Sequence, residues 1–140
     1  MSVVPDVMAA AVLQGKGRLA IEDVPVPVVG PDDVLVEVSH CGVCGSDLHM
    51  MLDGWGEPGG VGGHEWSGRV AALGPDVAGW EVGSPVVGGD LVTCGECVYC
   101  TSGRPSLCVA RGAVVDDIRI DPAKLCGMTE FAFVVSWHRA

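Results

Sequence analysis

Four cysteines at Cys94, Cys97, Cys100 and Cys108 constrain this chain more than any other feature. Two overlapping C-x2-C steps turn the backbone so that three sulfurs converge, and a fourth, after seven intervening residues, can complete a tetrahedron around Zn²⁺. The competing reading is a set of disulfides. C-x2-C steps close poor disulfides outside redox-active motifs, and seven cysteines cannot all pair. The sequence also shows no charged stretch followed by an apolar one of the secretory kind, so a reducing, cytoplasmic setting is expected. The spacing therefore predicts a zinc knuckle. Four thiolates leave no open position on the metal, so this site is structural and chemistry belongs elsewhere.

A chain of 140 residues is one domain of ordinary size. It is 49% hydrophobic but only 5% aromatic, so its core must be built from Val, Ala and Leu. Twenty-one glycines and nine prolines, spread along the whole length, indicate many tight turns between short strands and a mainly β fold. Eight Lys and Arg against eighteen Asp and Glu give a formal net charge of -10, the wrong sign for a zinc module that binds nucleic acid. The longest apolar runs, Met8 to Leu13 and Phe131 to Val135, fall well short of the ~20 residues of a membrane helix, so no membrane partner is expected.

Along the chain, Met8 to Leu13 and Leu19 to Asp23 read as strands joined by a turn at Gly15-Lys-Gly17. Pro25, Pro27 and Pro31 hold an extended linker. Val34, Val36 and Val38 alternate as the inward face of a strand, with Glu37 outward. Ser46 to Leu52 is the best helix candidate, capped by Ser46 or Asp47 and stopped near Gly54. Glu65 to Leu73 and Glu81 to Val87 read as strands around a Gly74-Pro75-Asp76 turn. Pro85 should start the second of these late or leave it on an edge. The cysteine loop then projects between Thr93 and Ala110, and Phe131 to Val135 reads as a closing strand.

A second constellation lies upstream. His40-Cys-Gly-Val-Cys-Gly-Ser-Asp-Leu-His49 places a soft ligand, a hydroxyl, a carboxylate and an imidazole within ten residues, and Gly62-Gly63-His64-Glu65 follows. A catalytic zinc takes about three protein ligands of mixed type and keeps one position open, a description that Cys44, His64 and Glu65 fit. Singly, each has a plainer reading: a cysteine buried as a small hydrophobe, or a histidine satisfied in a glycine turn.

Together the two motifs resemble the zinc-dependent medium-chain alcohol and polyol dehydrogenases, through their GroES-like N-terminal catalytic domain. The resemblance rests on Cys41-Gly-Val-Cys-Gly-Ser-Asp-Leu-His49, Gly63-His64-Glu65-Trp-Ser-Gly-Arg-Val70, the Cys94, Cys97, Cys100, Cys108 lobe and Gly127-Met-Thr-Glu-Phe-Ala132. It implies a GroES-like, partly open β-barrel with short helices and a projecting zinc-binding loop at about residues 90–112. It further implies that Cys44 and His64 ligate a catalytic zinc, with Glu65 beside it as a ligand or exchangeable ligand. Ser46 falls where the hydroxyl that hydrogen-bonds the substrate alcohol stands, His49 where a proton relay leads to solvent, and Asp47 where a carboxylate orients the zinc-bound imidazole. Cys41 has no ligand role. Zinc lowers the pKa of a substrate alcohol, and hydride leaves carbon for the nicotinamide of NAD(P). The implied substrate is a small alcohol or polyol, and self-association as a homo-oligomer is compatible with this reading.

Relatives continue past the position of Ala140 into a Rossmann domain, so residues 1–140 are expected to be the catalytic domain alone, without that domain and inactive by itself. Gly54-Trp-Gly56-Glu-Pro-Gly59 fits G-x-G-x-x-G but has no strand before it and no helix after it, and reads as a loop. Cys126 and His138 read as non-ligands. The alternative to an enzyme module is a non-catalytic zinc-stabilised β-domain or remnant serving assembly. A redox switch built on Cys41 and Cys44 is a third reading.

Overall fold

The computed structural model describes residues 4–88, 94–109 and 131–134, the last four by backbone course only. Expectations on Thr93, on Ala110 to Cys126, on Gly127 to Glu130, on Val135 and on His138 lie outside the described residues.

Strands β1 (Val7–Gly15) and β2 (Arg18–Pro25) form an antiparallel hairpin, reversed at Lys16 and Gly17, where Gly17 takes the left-handed φ of +70° that the turn requires. Strands β3 (Val34–Cys41), β4 (Trp66–Leu73), β5 (Pro85–Val87) and β6 (Phe131–Val134) make a second antiparallel sheet in the order β5-β4-β3-β6. The strand expected over Glu81 to Val87 contracts to Pro85–Val87 on the sheet edge. Gly83, at φ +92°, turns the chain just before it, and Pro85 brings no amide to the ladder.

Leu35 and Val36 are both fully buried and face opposite ways. Val36 packs with Val34, Trp66 and Val70, whereas Leu35 packs with Met8 under Val24, Val26, Val29, Ala71 and Ala72. The second sheet is therefore covered on both faces. Alternation alone identifies the Val34, Val36, Val38 face, but Leu35 is buried as deeply because Met8 and Val24 of the first hairpin and Val26 and Val29 after it cover its face of the sheet.

Between β3 and β4 the chain forms one short helical segment, Gly45–Leu48 (α1), which runs on as a π-helical turn over His49–Asp53 and stops at Gly54, φ +81°. The expected helix is present, but its cap differs. Cys44 occupies the N-cap, and Asp47 reaches back to accept a 2.8 Å hydrogen bond from the Cys44 N–H. Residues 54–60 form a loop with turns at Pro58 and Gly59, and the next regular element is β4. The architecture is mainly β, with open sheets, short helices and a separate cysteine lobe. Among the described residues no helix is long and apolar enough to cross a membrane.

Candidate metal sites and the cleft

The cysteine lobe is built from very little regular structure. Cys97 is the extended N-cap of a one-turn helix, Val98–Thr101 (α2), and a 3₁₀ turn at Pro105–Leu107 delivers Cys108. Gly95 and Gly103, both at φ +74°, supply the reversals on either side. Sulfur separations are 3.5 Å for Cys97 and Cys100, 3.6 Å for Cys94 and Cys108, and 4.0 Å for Cys94 and Cys100. Sulfurs at ~2.3 Å from a central zinc stand ~3.8 Å apart at tetrahedral angles, so these distances bracket the zinc tetrahedron. They are far beyond a disulfide bond, and no described cysteine is in one. Hydrogen bonds from the Cys100 and Val109 backbone amides pull the Cys97 thiol down to about 6. Desolvation, then the thiol contact with Cys97, pushes Cys100 up to about 11. One thiolate is thus already favoured at neutral pH, as a metal ligand must be.

The second donor set gathers at the far end of the β3–β4 pair. A register shift between Val38 and His40 bends the end of β3, and the Gly42 N–H donates to the Glu65 carbonyl at 2.6 Å, tying the two loops together. A Cβ at Gly42 would stand 3.1 Å from Glu65 Oε2, so a larger residue there would press on the Glu65 carboxylate. Gly63, buried and at φ +97°, turns His64 and Glu65 toward Cys44. One donor atom from each of Cys44, His64 and Glu65 lies within 4.8 Å of the others. These three residues line an open cleft of about 620 Å³ together with His40, Gly42, Trp66, Ser67 and Gly88.

Asp47 supports the set from behind. It is 1% exposed; Oδ2 takes the Cys44 N–H, and Oδ1 has no hydrogen-bond partner, lying 3.6 Å from Nδ1 of His64. A buried carboxylate oxygen left unpaired is costly unless it serves a neighbouring cation or imidazole. A metal on the other nitrogen of His64 would draw Nδ1–H toward it, so the donors fit Zn²⁺ with one side left open to the cleft. Cys41 stays out of the set. Burial, then the charges of Asp47 and Glu65, raise its thiol above the ordinary range, and its Sγ–H donates to the Gly42 carbonyl.

Every residue expected to ligate metal is thus beside its partners. Ser46 and His49 are exposed on the helical segment and do not line the cleft. His49 instead pairs through Nδ1 with Asp53 Oδ2 at 2.5 Å and stacks on Trp55, ring centroids 5.0 Å apart. Sequence reasoning does not single out His40 and Ser67, which sit opposite one another across β3 and β4 and both face the cleft. It also misses Asp53, although the four-residue step from His49 on a helix is the available signal.

A two-sheet β-domain with a four-thiol lobe and a mixed Cys, His, Glu cleft has the donors of a metal-binding module with one closed and one open site. The comparisons agree. Residues 30–139 match the profile of the alcohol dehydrogenase GroES-like domain. L-threonine 3-dehydrogenase of Stenotrophomonas maltophilia is 46% identical over 93 residues, covering 63% of this chain and 27% of that protein. Among solved structures, a cobalt- and zinc-bound thermostable alcohol dehydrogenase from Pyrobaculum aerophilum superposes with TM-score 0.73 at 26% identity, over 96% of this chain and 42% of that one. A protein described as a short chain alcohol dehydrogenase (rspB) from Escherichia coli CFT073, complexed with NADH, gives TM-score 0.70 at 29% identity, over 94% of this chain and 37% of that one. The chain belongs to the alcohol dehydrogenase GroES-like family, as an N-terminal domain of the zinc-dependent medium-chain dehydrogenases. It spans about a quarter of the length of the curated relatives it matches.

Proposed function

We propose that these 140 residues form one catalytic domain, with its structural zinc lobe at about 90–112, of an NAD(P)-dependent dehydrogenase that oxidises a small secondary alcohol or polyol. The observation that supports this reading best is the second donor set. Cys44, His64 and Glu65 converge in a cleft, apart from a four-thiol lobe that needs no further ligand. A purely structural zinc domain has no use for an open three-donor site.

In this reading Cys94, Cys97, Cys100 and Cys108 hold the structural zinc, and Cys44, His64 and Glu65 hold the catalytic one. Zinc bound there supplies the Lewis acidity that makes a substrate hydroxyl ionisable near neutral pH. Asp47 orients His64 through Nδ1 and fixes Cys44 through its amide. Neither Ser46 nor His49 lines the cleft; by the family resemblance they take the roles of partner to the substrate hydroxyl and proton carrier, and His49 is 56% exposed to the solvent that would receive the proton. The hydride acceptor in this reading is the nicotinamide of NAD(P). The relative that acts on carbon 3 of L-threonine oxidises a secondary alcohol, which favours that class over primary alcohols.

Metal analysis of the purified chain tests the proposal. About two zinc ions per chain are expected, falling to about one in Cys44→Ser with the lobe metal retained. A single ion per chain that Cys44→Ser leaves unchanged would reduce the protein to a zinc-stabilised scaffold.

A further inference from the structure

The helical segment changes from α to π geometry at His49, and π-turns, rare altogether, are frequently found at functional sites. Its turn is pinned to neighbouring backbone: the Gly17 N–H donates to the Met51 carbonyl at 2.7 Å, and the Gly56 N–H to the Met50 carbonyl at 3.1 Å. Gly54, in the left-handed region at φ +81°, then folds Trp55 back over the His49 ring, 5.0 Å between centroids and 18° from parallel. From the edge, Asp53 Oδ2 meets His49 Nδ1 at 2.5 Å. The imidazole is held by one partner on its rim and another on its face.

The His49–Asp53 pair adds little to the stability of the fold. Both members of the pair are about half exposed, at 56% and 51%, and exposed ion pairs contribute little to stability. What the contacts do achieve is orientation. A carboxylate at Nδ1 takes its hydrogen and leaves the lone pair on Nε2, as the partner of one ring nitrogen decides the role of the other.

We propose that Asp53 is a positioning residue for His49: its carboxylate holds Nδ1–H and presents Nε2 as the nitrogen that takes and passes on a proton, while Trp55 fixes the plane of the ring. The inference rests on the reading of His49 as the proton carrier and adds the two residues that make the ring directional. No bond other than N–H and O–H changes. In the proton-carrier role Nε2 takes up a proton, and the imidazolium, its charge matched by Asp53, gives that proton to water.

Histidine tautomers read by long-range ¹H–¹⁵N correlation on the ¹⁵N-labelled, zinc-loaded chain, at a pH where imidazoles are neutral, test this directly. His49→Gln assigns the signal by its disappearance. Free imidazole favours the Nε2–H form in water, so a dominant Nδ1–H form at His49 is the diagnostic result. Asp53→Asn should lower the ratio of Nδ1–H to Nε2–H by about fivefold, and Asp53→Glu should restore part of it. Trp55→Phe should keep the wild-type ratio. A wild-type His49 in the Nε2–H form, or the same ratio in wild type and Asp53→Asn, overturns the inference. The wild-type spectrum alone decides if the Asn variant does not fold. Zinc content, read on the same sample, tests the proposed function independently, because Asp53 belongs to neither donor set.

Discussion

Oδ1 of Asp47 lies 3.6 Å from Nδ1 of His64, while Oδ2 of the same buried carboxylate accepts the Cys44 N–H at 2.8 Å. One side chain therefore touches the supports of two prospective metal donors that are twenty positions apart in sequence. Replacing Asp47 with Asn keeps its shape but removes the charge that favours a metal-loaded imidazole. Zinc affinity at the cleft should fall about 10- to 100-fold while the cysteine lobe stays loaded. Competition against a chromophoric chelator measures both sites in one titration.

In the metal-free chain, Cys97 and Cys100 should differ in reactivity. With Cys97 drawn down to about 6 and Cys100 pushed up to about 11, iodoacetamide near pH 7 should modify Cys97 first. The stabilisation linked to the lowered Cys97 pKa is complete above its ordinary value of 9.0 and is lost as pH falls through about 6. That linked to Cys100 is complete below 9.0 and is lost as pH rises through about 11. Peptide mapping of a pulse-alkylation series should show Cys97 labelling fade below about pH 6.

Gly63 precedes the prospective histidine ligand at φ +97°. Alanine there is strained whatever space surrounds it, and Gly63→Ala should cost about 1–3 kcal/mol in urea unfolding. Cleft zinc should be lost with it, because His64 is aimed by this turn.

Leu35 is fully buried against Met8 on one face of the second sheet. Leu35→Ala should destabilise the chain by about 2–5 kcal/mol, read as a lowered urea midpoint at unchanged slope.

Much of this architecture is legible in the order of the residues. The lobe cysteines are close in sequence, so local spacing nearly determines their convergence, and strand boundaries follow valine alternation and glycine turns. The cleft is harder. Cys44 and His64 meet only because β3 and β4 pair and a register shift bends the end of β3, and pairing register leaves no mark in residue types. Side-chain preference points to Ser46 or Asp47 as the helix cap, because it takes no account of the backward reach of Asp47 to the Cys44 amide. Leu35 escapes notice because a period-two pattern names one buried face, and this strand has two.

The two donor sets differ in how they depend on the rest of the molecule. The lobe draws all its sulfurs from one contiguous run of fifteen residues, whereas the cleft borrows from two loops joined by a 2.6 Å backbone bond between Gly42 and Glu65. Fraying at that end of the sheet would part the cleft donors and leave the lobe sulfurs together. With both proposed sites filled, one metal would exchange with the breathing of a sheet end and the other would leave only when its own loop is dismantled.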